Sequence, residues 1–456
     1  MYTPPPPNSK IIIVGGGTFG LSTAYALSQK NKYDIWVFDR QEIPSPDAAS
    51  TDINKIVRMD YGDEPMYMKL TLETFPLWRQ WNKERAAKGE CPVYHETGVL
   101  MMAQNGKFTN YELTSMKHIR EAGYGHVIEE LQTPESITSR FPVFKDAVSK
   151  GFDIAYLNKM GGWCNSSEAI KHCYNKCVEN GVHFVTGDMK GSFEEVCCEA
   201  GGKVIGIRTK DNQVHSCDLL MMATGAWTPG LVDVGDRIIA TAQTVVQIKL
   251  PDHLRKAYGD QPGVWCADLS TTGYYGFAPN EEGIIKVGHH SRGYLNLRDK
   301  DRISVPRTQV TNPNDTIPIK SLRGIRQFLG SFFPFTASLD IVRARNCWYC
   351  DSVDGHYLIA PHPEYQNLIV ATGDSGHGAK MLPILGYKIC DVIDGIDTEY
   401  TRAWAWRDMG GGDAKDGAFD NLRASMANQE QLQLNTEDAQ TRMATLEELQ
   451  ANLPRL

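Results

Sequence analysis

The 456-residue chain contains no apolar run of the roughly 20 residues that a helix needs to span a bilayer. Its start, Met1-Tyr2-Thr3 followed by Pro4 to Pro7, has no apolar signal core. It has no basic run either, and the formal charge is −8, so no phosphate track for nucleic acid is expected. The dense cysteine spacing of a secreted disulfide scaffold is also missing. Eleven cysteines, an odd number, are scattered through helix-like and strand-like segments and are expected to be reduced thiols. Cys347-Trp348-Tyr349-Cys350 has no second Cys-x-x-Cys pair at zinc-site spacing and opens no thioredoxin-like helix, so neither a metal nor a redox disulfide is expected. Cys173 and Cys177 read as a packed helix face, and Cys197-Cys198 is uninformative. These absences leave a soluble, intracellular protein without membrane or nucleic-acid partners. Its length implies two domains, with the chain passing between them more than once.

What is present begins at residue 10. Lys10-Ile11-Ile12-Ile13-Val14 reads as a buried parallel strand and Leu21-Ser22-Thr23-Ala24-Tyr25-Ala26-Leu27 as a helix. Between them stands Gly15-Gly16-Gly17-Thr18-Phe19-Gly20. Gly15 permits the tight turn, Gly17 lets a pyrophosphate approach the backbone, and Gly20 packs helix against strand. The helix N-terminus offers free N–H groups and partial positive charge to phosphates. A second strand, Ile35-Trp36-Val37-Phe38, ends at Asp39, where a carboxylate binds ribose hydroxyls. The whole is a βαβ dinucleotide fingerprint.

Further on, Thr51-Asp52-Ile53-Asn54-Lys55-Ile56-Val57-Arg58-Met59-Asp60-Tyr61 carries two cations suited to an anion, or else two solvated charges on a helix face. Residues 66–81 read as a packed helix, residues 99–102 as a strand, and residues 109–122 as a polar helix. Ser166-Ser167-Glu168 opens a helix over residues 169–178, followed by a strand at residues 182–185. A ribbon spans residues 204–209 and 213–216, and a buried strand ends in Ala223-Thr224-Gly225, with Trp227 just after. Residues 273–279 and 284–290 form a strand pair around Asn280-Glu281-Glu282-Gly283. Alternation places Lys286, Gly288 and His290 on one face, where a lysine would be a fixed charge in a low-dielectric site; an edge-strand lysine is the ordinary alternative. Near the end stands Ser375-Gly376-His377-Gly378-Ala379-Lys380.

In order and over residues 10–407, these motifs resemble the FAD-dependent amine oxidases of the D-amino-acid-oxidase superfamily, in the branch with sarcosine, pipecolate, saccharopine and fructosyl amino acid oxidases (amadoriases). The resemblance implies an α/β and α+β fold: a Rossmann-type, glutathione-reductase-like FAD domain and a second mixed-sheet substrate domain. The FAD domain would comprise residues 8–92, 151–235 and 345–409, the substrate domain residues 93–150 and 236–344, and residues 410–456 a polar, surface-draped or mobile tail. FAD would meet Gly15, Gly17, Thr18, Phe19, Gly20, Asp39, Arg40, Ser50, Thr51, Lys55, Ala223, Thr224, Gly225, Trp227, Gly376, His377, Gly378 and Lys380. It would be bound covalently, through its 8α-methyl, to the sulfur of Cys347. Arg58 and Lys380 would take the substrate carboxylate and Lys286 would help activate oxygen, while Tyr275, His290, Tyr349, His377 and Lys55 line the site.

The specificity signal is split. Lys55 stands where sarcosine oxidases have arginine, and Asp52-Ile53-Asn54-Lys55-Ile56 resembles the fructosyl amino acid oxidases. Gly273-Tyr274-Tyr275-Gly276-Phe277 instead resembles the sarcosine and saccharopine types, and Ala278 replaces an acidic residue common in amadoriases. Val353 replaces a usual proline, although Asp354 is kept. The implied activity is oxidation of a carboxylate-bearing secondary amine by a monomer, with a small-molecule amine and O2 as partners and H2O2 as product. A dehydrogenase with another acceptor and a non-catalytic flavin-binding protein remain alternatives. The helix implied after Gly378, through Met381 to Leu385, would aim its positive end at the flavin. Pro454-Arg455-Leu456 is a weak peroxisomal address, leaving cytoplasm or peroxisome as the expected compartment.

Overall fold

Strand Lys10–Val14 is hydrogen-bonded in parallel to Asp34–Asp39 on one side and Leu219–Met222 on the other, so the fingerprint occupies the middle of a sheet. In this computed structural model, which describes residues 2–259, 262–407, 432–435 and 437–450, that sheet has six strands. Their order is Leu358–Pro361, Leu368–Thr372, Leu219–Met222, Lys10–Val14, Asp34–Asp39 and His183–Thr186. Ile11 and Ile13 pack into the core that holds helices Thr18–Ser28, Ser166–Glu179 and Leu385–Ile393; Ile12 and Val14 face the ribbon side. Apolar residues on both faces explain why the strand reads as a continuous apolar run.

A second, nine-stranded sheet begins Ile341–Ser352, Ile238–Lys249, Ile284–Leu295, Tyr274–Phe277 and Val264–Ala267. It continues through Val99–Ala103, Ile154–Asn158 and Ile128–Leu131, and Leu432–Gln433 adds beside Ile284–Leu295. Helix Ile319–Phe332 covers one face with Ile319, Leu322, Ile325, Leu329 and Phe332 at helical spacing. The strand Lys55–Val57 pairs with Gly162–Cys164 in a small sheet, which rules out the reading of Lys55 and Arg58 as neighbours on a helix face.

The fold differs from expectation in several places. Ile154–Asn158 pairs with Val99–Ala103, so it lies in the large sheet and not with the FAD segment assigned from residue 151. The boundary at 345 cuts through the continuous strand Ile341–Ser352. Part of the segment read as a tail is packed: Ala444 and Leu449 are buried in the core beneath helix Ile319–Phe332, and the Leu449 carbonyl accepts from Ile341 N–H. The helix at residues 169–178 starts earlier, at Ser166, because the Asn165 side chain caps it. Pro454-Arg455-Leu456 lies outside the described residues. Among the described residues no helix is long and apolar enough to cross a membrane, and no group of three or more His, Cys, Asp or Glu side chains could hold a metal ion.

Candidate active site

A cavity of about 630 Å³ runs from the glycine turn of the first sheet to the inner face of the second. At one end it is lined by Gly15, Gly17, Thr18 and Phe19, and helix Thr18–Ser28 opens there with neither a capping side chain nor an acid in its first turn. The free N–H groups therefore face the cavity, as a pyrophosphate requires. Gly20 does not line it: a Cβ there would lie 1.8 Å from the Gly15 carbonyl oxygen, so its role is close packing of helix on strand. The Asp39 carboxylate accepts from Gly16 N–H at 2.7 Å, Gln41 N–H at 2.9 Å and Ser45 hydroxyl at 2.9 Å. Burial pushes Asp39 upward against those donors. Arg40 lies over the Trp227 ring at 4.2 Å and pairs with Asp47 at 2.7 Å. Ser50, Ala223, Thr224 and Gly225 complete this end. The uncapped helix, the terminal acid and the cavity's size fit a dinucleotide cofactor such as FAD.

The other end gathers Lys55, Arg58, Tyr275, Lys286, His290, Tyr349, Gly376, His377 and Lys380 on one wall system. Strand Ile284–Leu295 puts Lys286 and His290 on the cavity face, while Ile285 and Val287 enter the core on the other. That strand lies between Ile238–Lys249 and Tyr274–Phe277, so Lys286 is an interior residue, not an edge one. The loop before residue 380 crosses Tyr349 so closely that a Cβ on Gly376 (φ +78°) would meet Tyr349 Cε2 at 2.2 Å. After it, a single turn at Ala379–Met381 is followed by a separate helix, Leu385–Ile393; no continuous helix starts near Gly378. Gly378 is off the cavity wall, as is Thr51, whose carbonyl accepts from Arg345. Cys347 is buried just behind the wall, its Sγ 3.6 Å from Lys55 Nζ. Cys350, on the other face of the strand, contacts Thr372 Oγ1 at 2.8 Å, and both cysteines are free thiols.

The cations form two groups. Lys286 donates to the Asn54 carbonyl at 2.6 Å and to Asp52 Oδ2 at 2.8 Å. Burial, opposed by Asp52 and reinforced by Lys55, lowers Lys286 to about 8. Lys55 sits 3.6 Å from the same carboxylate; burial works against its charge, but the Cys347 sulfur and Asp52 hold it above the usual lysine range.

Arg58 and Lys380 form the second group. Arg58 Nη1 donates to the Asp60 carbonyl and to the Tyr111 hydroxyl, which itself donates to the same carbonyl at 2.6 Å. Lys380 Nζ donates to the Tyr61 hydroxyl at 2.9 Å and to the His377 carbonyl at 3.3 Å. Among the described residues neither cation has a carboxylate within ion-pair distance. Burial and Arg58 hold Lys380 well below the usual lysine range. His377 Nε2 faces the Gly355 carbonyl at 3.1 Å, which can only accept, so Nε2 carries a proton, and Nδ1 lies 3.2 Å from the hydroxyls of both Tyr61 and Tyr357, the latter also reaching the His377 carbonyl at 3.3 Å.

Four residues of this end were not singled out from sequence. Tyr61 and Asp52 flank the two cations in the stretch already noted. Arg345 shares a strand face with Cys347 and Tyr349 by simple alternation. Tyr111 comes from helix Asn110–Glu121, and nothing local in the sequence points it at Arg58.

The family model described as FAD dependent oxidoreductase matches residues 10–392. The chain is 29% identical over 413 residues to L-saccharopine oxidase of Schizosaccharomyces pombe, covering 87% of this chain and 92% of that protein. It is 24% identical over 391 residues to monomeric sarcosine oxidase of Bacillus sp. (strain NS-129), covering 85% and 93%. The crystal structure of a thermally stable mutant of fructosyl peptide oxidase superposes with a TM-score of 0.80 at 30% identity, covering 93% of this chain and 97% of that one.

Proposed function

The chain belongs to the FAD dependent oxidoreductases, and on that premise we propose that it oxidises the C–N bond of a carboxylate-bearing secondary amine, an N-alkyl amino acid, with dioxygen as acceptor. One observation carries the substrate class: at the cavity the buried Lys380 and the half-buried Arg58 are held by phenols and carbonyls, with no carboxylate within ion-pair distance among the described residues. Asp60 acts on both, and Asp374 on Lys380, only from beyond ion-pair distance, so two desolvated basic groups with no carboxylate in contact are a site for an external one.

When bound, FAD supplies the acceptor for a hydride from the carbon next to nitrogen and passes the electron pair to dioxygen, giving hydrogen peroxide. The protein's part is positioning and charge. Arg58 and Lys380 clamp the carboxylate and so orient the C–H bond. Tyr61 ties Lys380 to His377, which fixes the Lys380 nitrogen relative to the loop that would meet the flavin. The amine reacts in its neutral form, since a protonated nitrogen has no lone pair to expel hydride; two cations at the carboxylate favour loss of that proton. The product imine takes up water and divides into a carbonyl compound and a primary amine. Lys286 stabilises negative charge developing on oxygen, and Cys347, behind the wall beside Lys55, is assigned the covalent link.

The test is a panel of N-methyl amino acids, fructosyl amino acids, pipecolate and saccharopine, scored in air by peroxide release and by bleaching of the bound flavin. One member should give both. Bleaching without peroxide would point to another electron acceptor, and absence of bleaching by every amine would defeat the reading. Acid-precipitated protein should keep its yellow colour, whereas Cys347→Ala should release it to the supernatant.

A further inference from the structure

Behind the lysine face of the cavity, one buried carboxylate serves several cations. Asp52 Oδ2 receives Lys286 Nζ at 2.8 Å and Arg345 Nη2 at 3.1 Å, with Lys55 Nζ at 3.6 Å. The cations come from three strands: Lys55–Val57, Ile284–Leu295 and Ile341–Ser352. The side chains of Asp52, Lys286 and Arg345 are 2%, 1% and 8% exposed, so little water shares the load. The loop itself is anchored. The Asp52 carbonyl accepts from Ser166 Oγ at 3.0 Å, Ser167 Oγ at 2.8 Å and Ser167 N–H at 3.1 Å, all at the start of helix Ser166–Glu179. Its Oδ1 accepts from Ile53 N–H at 2.8 Å. Neighbouring carbonyls complete the arrangement, Thr51 accepting from Arg345 at 2.7 Å and Asn54 from Lys286 at 2.6 Å.

We propose that Asp52 is a positioning residue that sets the charge of Lys286, keeping it an ammonium in the orientation that faces the cavity. The inference rests on the reading of Lys286 as the oxygen-side cation and adds the group that controls it. The balance of charge decides which proton is at stake. Arg345 cannot lose its own. Lys55 has the Cys347 sulfur and the Tyr275 hydroxyl beside it as well as Asp52. Lys286 faces Lys55, Arg345, the Cys164 thiol and the Phe277 ring, with its Nζ 5.0 Å from the ring centroid, and among the described residues Asp52 is the one carboxylate within ion-pair distance of it. Remove that carboxylate and three cations, two of them buried, are left against each other, a strain that Lys286 relieves by discharging. Take away Arg345 instead, and a like charge is lost, so Lys286 keeps its proton to higher pH.

The two variants therefore move Lys286 in opposite directions, which general damage to the site would not do. Pre-reduced holoenzyme is mixed with dioxygen across a pH series. In the wild type the reoxidation rate should fall with a midpoint near 8 as Lys286 discharges. The midpoint should drop by about one unit or more in Asp52→Asn and rise in Arg345→Met. A second readout needs no turnover. Lys286 is depressed in the folded protein, so its penalty is present at low pH and fades as pH rises through its folded and then its unfolded value. The melting-temperature deficit of Asp52→Asn should accordingly narrow between about pH 6 and pH 10, and stay constant with pH in a Lys286→Met background. A midpoint unmoved by Asp52→Asn, midpoints of both variants shifting the same way, or a pH-independent melting deficit would overturn the inference. If Asp52→Asn does not fold, the direction of the Arg345→Met shift decides. Reoxidation indifferent to Lys286→Met would sink the oxygen-side reading by itself, and the melting comparison would still decide on Asp52.

Discussion

The two cation groups at the ends of one active-site wall are held by different chemistry. Lys286 and Lys55 share an internal carboxylate with Arg345, whereas Arg58 and Lys380 are held by Tyr111, Tyr61 and backbone carbonyls. Burial lowers both lysines, Lys286 to about 8 against the pull of Asp52, and Lys380 well below the usual lysine range with Arg58 adding to the effect. On the proposed reading, the oxygen-side lysine keeps its counter-ion in contact. On the same reading, the pair that would meet an anion has no carboxylate in contact among the described residues, a cost that the anion would relieve when it arrives.

The strongest way to break this contrast is Arg58→Met. Removing one partner of a buried carboxylate pair costs about 4 kcal/mol, roughly 1,000-fold in kcat/KM. The loss should be specific to amines with a free carboxylate and should shrink for their amides; equal losses on both would remove Arg58 from the anion site. Next in size is Lys286→Met, which should leave flavin reduction by the amine nearly unchanged and slow reoxidation by roughly 100-fold in stopped-flow traces. Equal reoxidation in variant and wild type would erase the functional distinction between the two groups.

A sharper and smaller signal comes from protons. Lys380 is held low by burial and by Arg58, and an incoming carboxylate favours its charged form, so binding should take up a proton. Calorimetry with a non-reactive carboxylate inhibitor, in buffers of differing ionisation enthalpy, should show uptake above the Lys380 value in the free protein, and Lys380→Met should abolish it. The smallest change expected is Tyr61→Phe. Loss of the hydroxyl between Lys380 and His377 should cost about 1 kcal/mol, roughly fivefold and mostly in KM.

How much of this was legible in the sequence depended on distance along the chain. The βαβ fingerprint lies within residues 10–39, and its turn, packing glycine and terminal acid are local requirements that a short window displays. The cavity-facing side of Ile284–Leu295 was readable too, because alternation fixes which residues share a face. The Asp52–Arg345 contact spans 293 positions and depends on how the strand Ile341–Ser352 sits against the rest of the large sheet. Tyr111 was invisible for the same reason: its helix is amphipathic in the ordinary way, and only its docking turns the hydroxyl towards Arg58. The polar composition near residues 432–450 misled because a few apolar side chains, Ala444 and Leu449 among them, suffice to seat it.

By itself, then, the amino-acid order determined the nucleotide cradle, the motif order that places the chain among flavin oxidases, and the residue types that the site uses. Residue type and local spacing are enough for those. Which cation has a partner and which is left to meet a ligand was decided only in three dimensions. Lys55, Arg58, Lys286 and Lys380 look alike as basic residues in a string. They differ because folding brings the Asp52 carboxylate within ion-pair distance of two of them and places phenols and carbonyls in contact with the others, in an interior with too little water to cancel the difference.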